Sequence, residues 1–343
     1  MSPLQEGFLF HALYDEGTVD PYITQSAMRI EGPLRAQDMR RAAQALAQRH
    51  AVLRTAFLQR RSGQTVQVVA RDIDVPWHET DLSTLDDTHQ QQELRRLLAE
   101  DQTRRFDMAS APLLRFTLIR LAADHHILMM TNHHILLDGW SVPLVLDDLF
   151  TLYAHHGNDH TLPDVTPFTD YLGWLADRDP HAARTAWQEA LAGLEEPTLI
   201  APADTTHTTV TPDIVVTELP EDLTTHLTTT ARKAGLTLNT LVQGAWAILL
   251  ARMTGKQDIV FGATVSGRPP ELPGVEDIVG LLMNTVPVRA RIHPTDTLTT
   301  LLTRIQDQQT ALIDHTHLPL TEIQQLTGHT TLFDTSTVFE NMP

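Results

Sequence analysis

The sequence predicts an α/β fold in two similar lobes, and three observations carry that expectation. The chain has 343 residues, room for two domains of ordinary size. Both halves follow one grammar, strand–helix–strand–helix–strand, although self-similarity is too weak to prove a repeat. Between them, residues 195–212 are rich in Thr, Pro and Ala and lack an apolar period, the composition of an interdomain linker. The expected division is therefore 1–194, a linker at 195–212, and 213–343.

Taken in order, Ser2 is placed as an N-cap, Pro3 fits the first turn, and Phe8, Leu9, Ala12 and Leu13 form an apolar stripe, so the first fourteen residues read as a helix. Tyr22 to Ile30 alternates as a strand does. Arg35 to Arg49 is an amphipathic helix with Met39, Ala42, Ala43 and Leu46 inward. Arg49 to Phe57 changes into a strand running through Thr65 to Val69, and residues 86–104 form a charged helix. Leu113 to Leu121 is a strand that pairs with 126–132 across the turn at Ala122 to His125. Helices follow at 142–156, 168–175 and 180–193, the last with Trp187 inward.

The second half opens with a strand at 213–219 and a helix at 221–235 that ends at Gly235. Asn239 is expected to cap a helix from Thr240 to Met253, whose apolar character on all sides predicts burial on most of them. A strand from Asp258 to Val265 leads into a Pro/Gly loop at 266–274. Val279 to Arg289 ends in a strand, a helix covers 296–314, and a last strand covers 332–339.

The net charge of −18 argues against nucleic acid or an anionic membrane as the main partner. With no cysteine there are no disulfides and no thiol nucleophile, which is compatible with the cytoplasm. The start, Met1 to Gly7, has no basic region followed by an apolar core, so it reads as no signal peptide. No apolar run approaches the length of a membrane span.

The chemistry concentrates between Thr131 and Ser141. The apolar run His126 to Met130 reads as a buried strand, and the segment after Ser141 reads as a helix with Pro143 in its first turn. His133 and His134 thus stand where a strand ends, followed by Asp138, Gly139 and Trp140. A histidine titrating near neutral pH suits taking a proton from an attacking amine or hydroxyl. Asp138 could orient that histidine or brace the loop, and Gly139 would allow a sharp turn. Neighbours on a strand face opposite ways, so one of the two histidines is expected to be structural. Zinc is a rival reading because His125, His126, His133 and His134 are close in sequence. No cysteine or His-Glu-x-x-His spacing supports it, so no metal is expected.

Six segments in order resemble the condensation domain of nonribosomal peptide synthetases: Ser2 to Gly7, Arg49 to Phe57, His133 to Ser141, Phe168 to Trp174, Val279 to Thr285, and His315 to Leu320. The resemblance runs the length of the chain. It departs at Ala51, where the family usually has Glu, and at Thr316 and His317, where an acidic or amide residue is usual. The family's last motif is absent, so the chain resembles a condensation domain lacking the end of its second lobe.

The resemblance implies two chloramphenicol-acetyltransferase-like α/β sandwich lobes in a V-shaped pseudo-dimer, with a tunnel between them. It implies a reaction in which the amine of an acceptor aminoacyl thioester attacks a donor acyl thioester. Both would ride on phosphopantetheine arms of partner carrier domains, beside an adenylation domain, with no cofactor bound to the domain itself. His134 would be the base or the group that positions the amine, with His133, Asp138 and Gly139 completing the motif. Gly139 would aim a backbone N–H at the developing oxyanion. Asp138 would be held by Arg54, or failing that Arg49, with Trp140 and Ser141 supporting the loop. Asn284 and the loop carrying Ser266, Gly267 and Arg268 would line the tunnel. Leu136 and Leu137 before Asp138, with Pro3 to Gly7, resemble domains that take a D-configured donor. The alternatives are an acyltransferase using coenzyme A or a carrier, an epimerising relative, and a catalytically silent docking module.

Overall fold

The computed structural model of the chain describes residues 1–14, 20–201 and 213–340. They form two compact units, Met1–Ala176 with Arg268–Leu282, and Asp177–Gly267 with Met283–Pro343. The division differs from the single cut expected at 195–212. Trp187 is buried in a cluster with Val260, Val286 and Leu332 of the second unit. Conversely, Val275, Ile278 and Leu282 pack on Phe168 and Tyr171 of the first. Burial of these side chains, rather than linker composition, decides which unit each segment joins.

The first unit runs α1 (Pro3–Tyr14), β1 (Ile23–Glu31), α2 (Ala36–Arg49), β2 (Thr55–Gln59), β3 (Thr65–Val69), β4 (Trp77–Asp81), α3 (Asp87–Thr103), β5 (Leu114–Ala122), β6 (His125–His133), α4 (Ser141–Ala154) and α5 (Phe168–Ala176). Its main sheet has the order β1-β6-β5-β4. Strand β6 is central and buried from His126 to His133, which is why it reads as an unbroken apolar run rather than an alternating one. The pairing sets Ile23 opposite His133, so the motif histidines leave the sheet where β1 begins. Strand β4 was not expected. It lies parallel to β5 at the sheet edge, and its sequence WHETD carries no apolar alternation because most of it faces water. Strands β2 and β3 form a separate antiparallel pair.

In the second unit come α6 (Pro180–Leu191), α7 (Glu221–Lys233), α8 (Leu238–Thr254), β7 (Asp258–Val265), β8 (Asn284–Arg291), α9 (Leu298–Leu312), α10 (Leu320–Thr327) and β9 (Ser336–Thr337). The sheet order is β8-β7-β9, with β9 parallel to β7. Several expectations change here. The cap of α8 is Thr237, whose hydroxyl accepts from Thr240 N–H at 3.0 Å, and not Asn239, which lies inside the first turn. The same helix exposes Val242, Leu249 and Met253, so its apolar surface is not buried on most sides. Residues 213–219 form no strand and leave Ile214, Val215 and Val216 exposed. Residues 195–201 are not a free linker: buried Thr198 accepts from Val260 N–H at 2.9 Å, and the Ile200 and Ala201 N–H groups donate to Asp334. The rest of the expected linker, 202–212, lies outside the described residues. Helix α10 was missed, and only Ser336–Thr337 of the expected last strand pairs. No single helix among the described residues is long and apolar enough to cross a membrane.

Candidate active site at the end of the buried strand

The two motif histidines have different surroundings. His133 is fully buried, and its Nδ1 accepts from Ile135 N–H at 3.1 Å. That bond places the ring proton on Nε2, which stands 3.3 Å from Asp20 Oδ2 in an off-axis electrostatic contact. Burial pushes the Asp20 carboxyl up, yet His133 and the Tyr22 N–H outweigh it and hold the group below its ordinary value. Asp20 was not foreseen, because it lies far from the motif in sequence and only β1–β6 pairing brings it near.

His134 is half-buried. Its N–H donates to Tyr22 O at 2.7 Å, which fixes the backbone where the strand ends. Its ring meets the edge of Phe8, centroids 5.3 Å apart, and Phe8 stacks on Tyr22 at 4.1 Å. The His134 Nδ1 is buried with no hydrogen-bond partner among the described residues. Helix α1 also braces the loop: buried Gln5 donates to Ile135 O at 3.1 Å and accepts from Ser2 N–H at 2.9 Å. The second bond is half of a capping box. The hydroxyl of Ser2, expected to cap, makes no bond among the described residues.

Asp138 does not meet Arg54 or Arg49. Arg54 spends its guanidinium on the carbonyls of Ala47, Gln48, Ala70 and Arg71. Arg49 pairs with Asp148 at 2.8 Å, where His50 also binds at 2.6 Å, tying α2 to α4. The partner of Asp138 is Arg268, at 3.2 Å, both side chains almost wholly buried. Arg268 was expected to line a tunnel; instead its Nη1 donates to Val275 O and Ile278 O at 2.6 and 2.9 Å. Asp138 further accepts from Ser141 N–H, Ser141 Oγ and Leu282 N–H at 2.9, 2.8 and 3.0 Å. Ser141 Oγ bridges to Gly280 as well, at 2.8 Å to its carbonyl and 3.0 Å from its N–H. Trp140 donates to Glu276 O at 2.9 Å, and the Arg268 guanidinium lies 5.5 Å from its ring centroid. With these donors the lone pairs of the buried Asp138 carboxylate are already used. The one sequence signal for Arg268 was the rigid Gly-Arg-Pro-Pro run that carries it.

Of the other expected tunnel residues, Asn284 is buried in the second unit and donates to Thr316 O and Leu318 O at 2.8 and 2.9 Å. Its side chain is committed to holding that turn. Ser266 and Gly267 belong to the second unit too, while Arg268 belongs to the first.

The first unit thus ends its buried central strand at His133, follows it with His134, and locks the next loop through buried Asp138. The chain belongs to the condensation-domain family: that family's model matches residues 1–343. It is 40% identical over 352 residues to a linear gramicidin synthase of Brevibacillus parabrevis, covering 100% of this chain and 4% of that protein. It is 31% identical over 348 residues to bacitracin synthase 3 of Bacillus licheniformis, covering 99% of this chain and 5% of that one. The chain thus spans a small part of the curated relatives it matches. Among solved structures, the first condensation domain of the calcium-dependent antibiotic synthetase, in complex with a substrate analogue, aligns with a TM-score of 0.80 at 20% identity, covering 100% of this chain and 81% of that one. The X-domain from teicoplanin biosynthesis aligns with a TM-score of 0.79 at 22% identity, covering 98% and 76%. These likenesses show the fold.

Proposed function

We propose that this chain joins a carrier-bound donor acyl or peptidyl thioester to the amine of a carrier-bound acceptor aminoacyl thioester. The acceptor amine attacks the thioester carbonyl, the C–N bond forms, the C–S bond breaks, and the amine's proton passes to the departing thiolate, which leaves as the thiol. The observation that carries the reading is the contrast between the histidines. His133 is enclosed and bonded through Nδ1, whereas His134 is half-buried on a fixed backbone. Because Nδ1 of His134 is walled off, proton contact with a substrate falls to Nε2. An α-amine needs modest help against a thioester, so holding it in line contributes more than removing its proton. The Gly139 N–H is assigned to the developing oxyanion, and Asp138 to bracing through Arg268.

The partners on this reading are donor and acceptor carrier domains with phosphopantetheine arms, working with an adenylation domain of the same synthetase in the cytoplasm. A protein of the same fold, a mutant of the starter condensation domain of rhizomide synthetase, is in complex with C8-CoA and Leu-SNAC. The proposal includes a D-configured donor. The test is mass spectrometry of the carrier-bound product after mixing the chain with loaded donor and acceptor carriers. Product on the acceptor carrier supports the reading. Equal turnover with a donor on coenzyme A in place of the carrier would move it to the free-standing acyltransferase, and no product under any donor would leave a docking module.

A further inference from the structure

A histidine that handles a proton is ordinarily oriented by a hydrogen bond at one ring nitrogen, which also sets its tautomer. His134 lacks that support: its Nδ1 is buried with no hydrogen-bond partner among the described residues. The last torsion of a histidine side chain is broad and roughly two-fold, so nothing intrinsic fixes the ring plane. Packing has to do the orienting.

That packing comes from a relay of rings. His133, fully buried, lies 6.2 Å from the Tyr22 ring, centroid to centroid. Tyr22 stacks on Phe8 at 4.1 Å and 28°. Phe8 meets His134 in a T-shaped contact at 5.3 Å and 61°. The relay closes on itself, because Tyr22 O accepts from the His134 N–H at 2.7 Å. Helix α1 keeps Phe8 in register. Gln5, three residues earlier on the same helix face, donates to Ile135 O at 3.1 Å. Aromatic pairs have preferred mutual angles, so a ring at position 8 constrains the plane of its neighbour where an aliphatic side chain would only fill space.

We infer that Phe8 is a positioning residue for His134. It acts through the imidazole: backed by Tyr22 and His133, its ring holds the plane that aims His134 Nε2 at the substrate. The inference rests on the condensation reading for what Nε2 meets, and on the ring contacts alone for how His134 is held.

The test begins with Phe8→Leu, which keeps apolar bulk at a half-buried site and removes the ring. The first readout is NMR relaxation of the His134 ring, its signals identified by their loss in His134→Gln. The ring should be rigid in wild type, should turn about its last torsion in Phe8→Leu, and should be rigid again in Phe8→Tyr. The second readout is single-turnover condensation with loaded carriers. Phe8→Leu should lower the maximal rate about tenfold. The acceptor concentration giving half of that rate should not change, and Phe8→Tyr should restore the rate. Tyr22→Leu removes the stack behind Phe8 and keeps the carbonyl, so it should also loosen the ring, and it carries the test should Phe8→Leu fold poorly. A His134 ring as rigid in Phe8→Leu and Tyr22→Leu as in wild type would overturn the inference. So would a Phe8→Leu variant that melts earlier yet turns over at the wild-type rate when folded. The NMR readout stands by itself: wild type that yields no product overturns the condensation reading and leaves the inference to the ring's motion.

Discussion

Asp138 and Arg268, 130 residues apart, form a buried ion pair at 3.2 Å that ties the loop after the paired histidines to the 268–282 segment. Both members carry further bonds: Asp138 takes Ser141 and Leu282 donors, and Arg268 gives to two carbonyls. Burial pulls the Arg268 pKa below its ordinary value, with Asp138 pulling against it, the mark of a charge kept inside by its partner.

Removing one member strands the other. Asp138→Ala and Arg268→Ala should each lose about 3–5 kcal/mol of stability in denaturant unfolding, together with turnover. In a double-mutant cycle the combined variant should lose less than the sum of the two. Asp138→Ala with an unchanged midpoint and no turnover would instead give the carboxylate a direct chemical role.

His134→Ala should cut single-turnover condensation by about 10²-fold or more while leaving the thermal transition in place. His133→Ala should do the reverse first, lowering the transition because Ile135 N–H and Asp20 both lose a partner. Near wild-type rates in His134→Ala would remove the histidine from the mechanism.

Beneath the motif strand, Asp101 binds Arg115 Nε at 2.6 Å and the Thr131 hydroxyl at 2.5 Å. Burial pushes its carboxyl up, but Arg115 and Thr131 hold it below its ordinary value of 3.8. The folded pKa therefore lies under the unfolded one. Its contribution is complete above about pH 4 and is lost as pH falls through the folded value. Asp101→Asn should be less stable than wild type by about 1–3 kcal/mol at pH 7. That gap should shrink below about pH 4 in urea titrations at stepped pH. A gap that stays constant to acid would refute the linkage.

Gly280 lends its carbonyl to Asp138 N–H and Ser141 Oγ. A Cβ there would run into the Phe168 ring. Gly280→Ala should destabilise by about 1–3 kcal/mol through overpacking. Paired with Phe168→Leu, the alanine should cost less than it does alone, which unfolding of the three variants measures.

The D-donor proposal rests on Leu136 and Leu137, both buried against the first core. Given D- and L-terminated donors on the same carrier with a fixed acceptor, the chain should favour D by about tenfold or more, the size expected when one contact is lost. Product ratios in direct competition measure this. Equal use or an L preference would remove the D assignment and leave condensation untouched.

Local signals in the sequence settled the elements that carry their own pattern. The buried run of β6, the amphipathic α2 with Met39 and Leu46 inward, and the loop from His133 to Ser141 needed no tertiary information. Their period and capping chemistry are written in neighbouring residues. The partner of Asp138 was decided only in three dimensions. The Gly-Arg-Pro-Pro run marks Arg268 as held in a rigid loop but does not say which carboxylate it meets, and the choice follows from where Val275, Ile278 and Leu282 bury themselves on α5. The same holds for Asp20 beside His133, for strand β4 at its wet edge, and for Thr198 locked into the second unit. Each owes its place to burial and pairing over long sequence separation, which a local pattern does not encode.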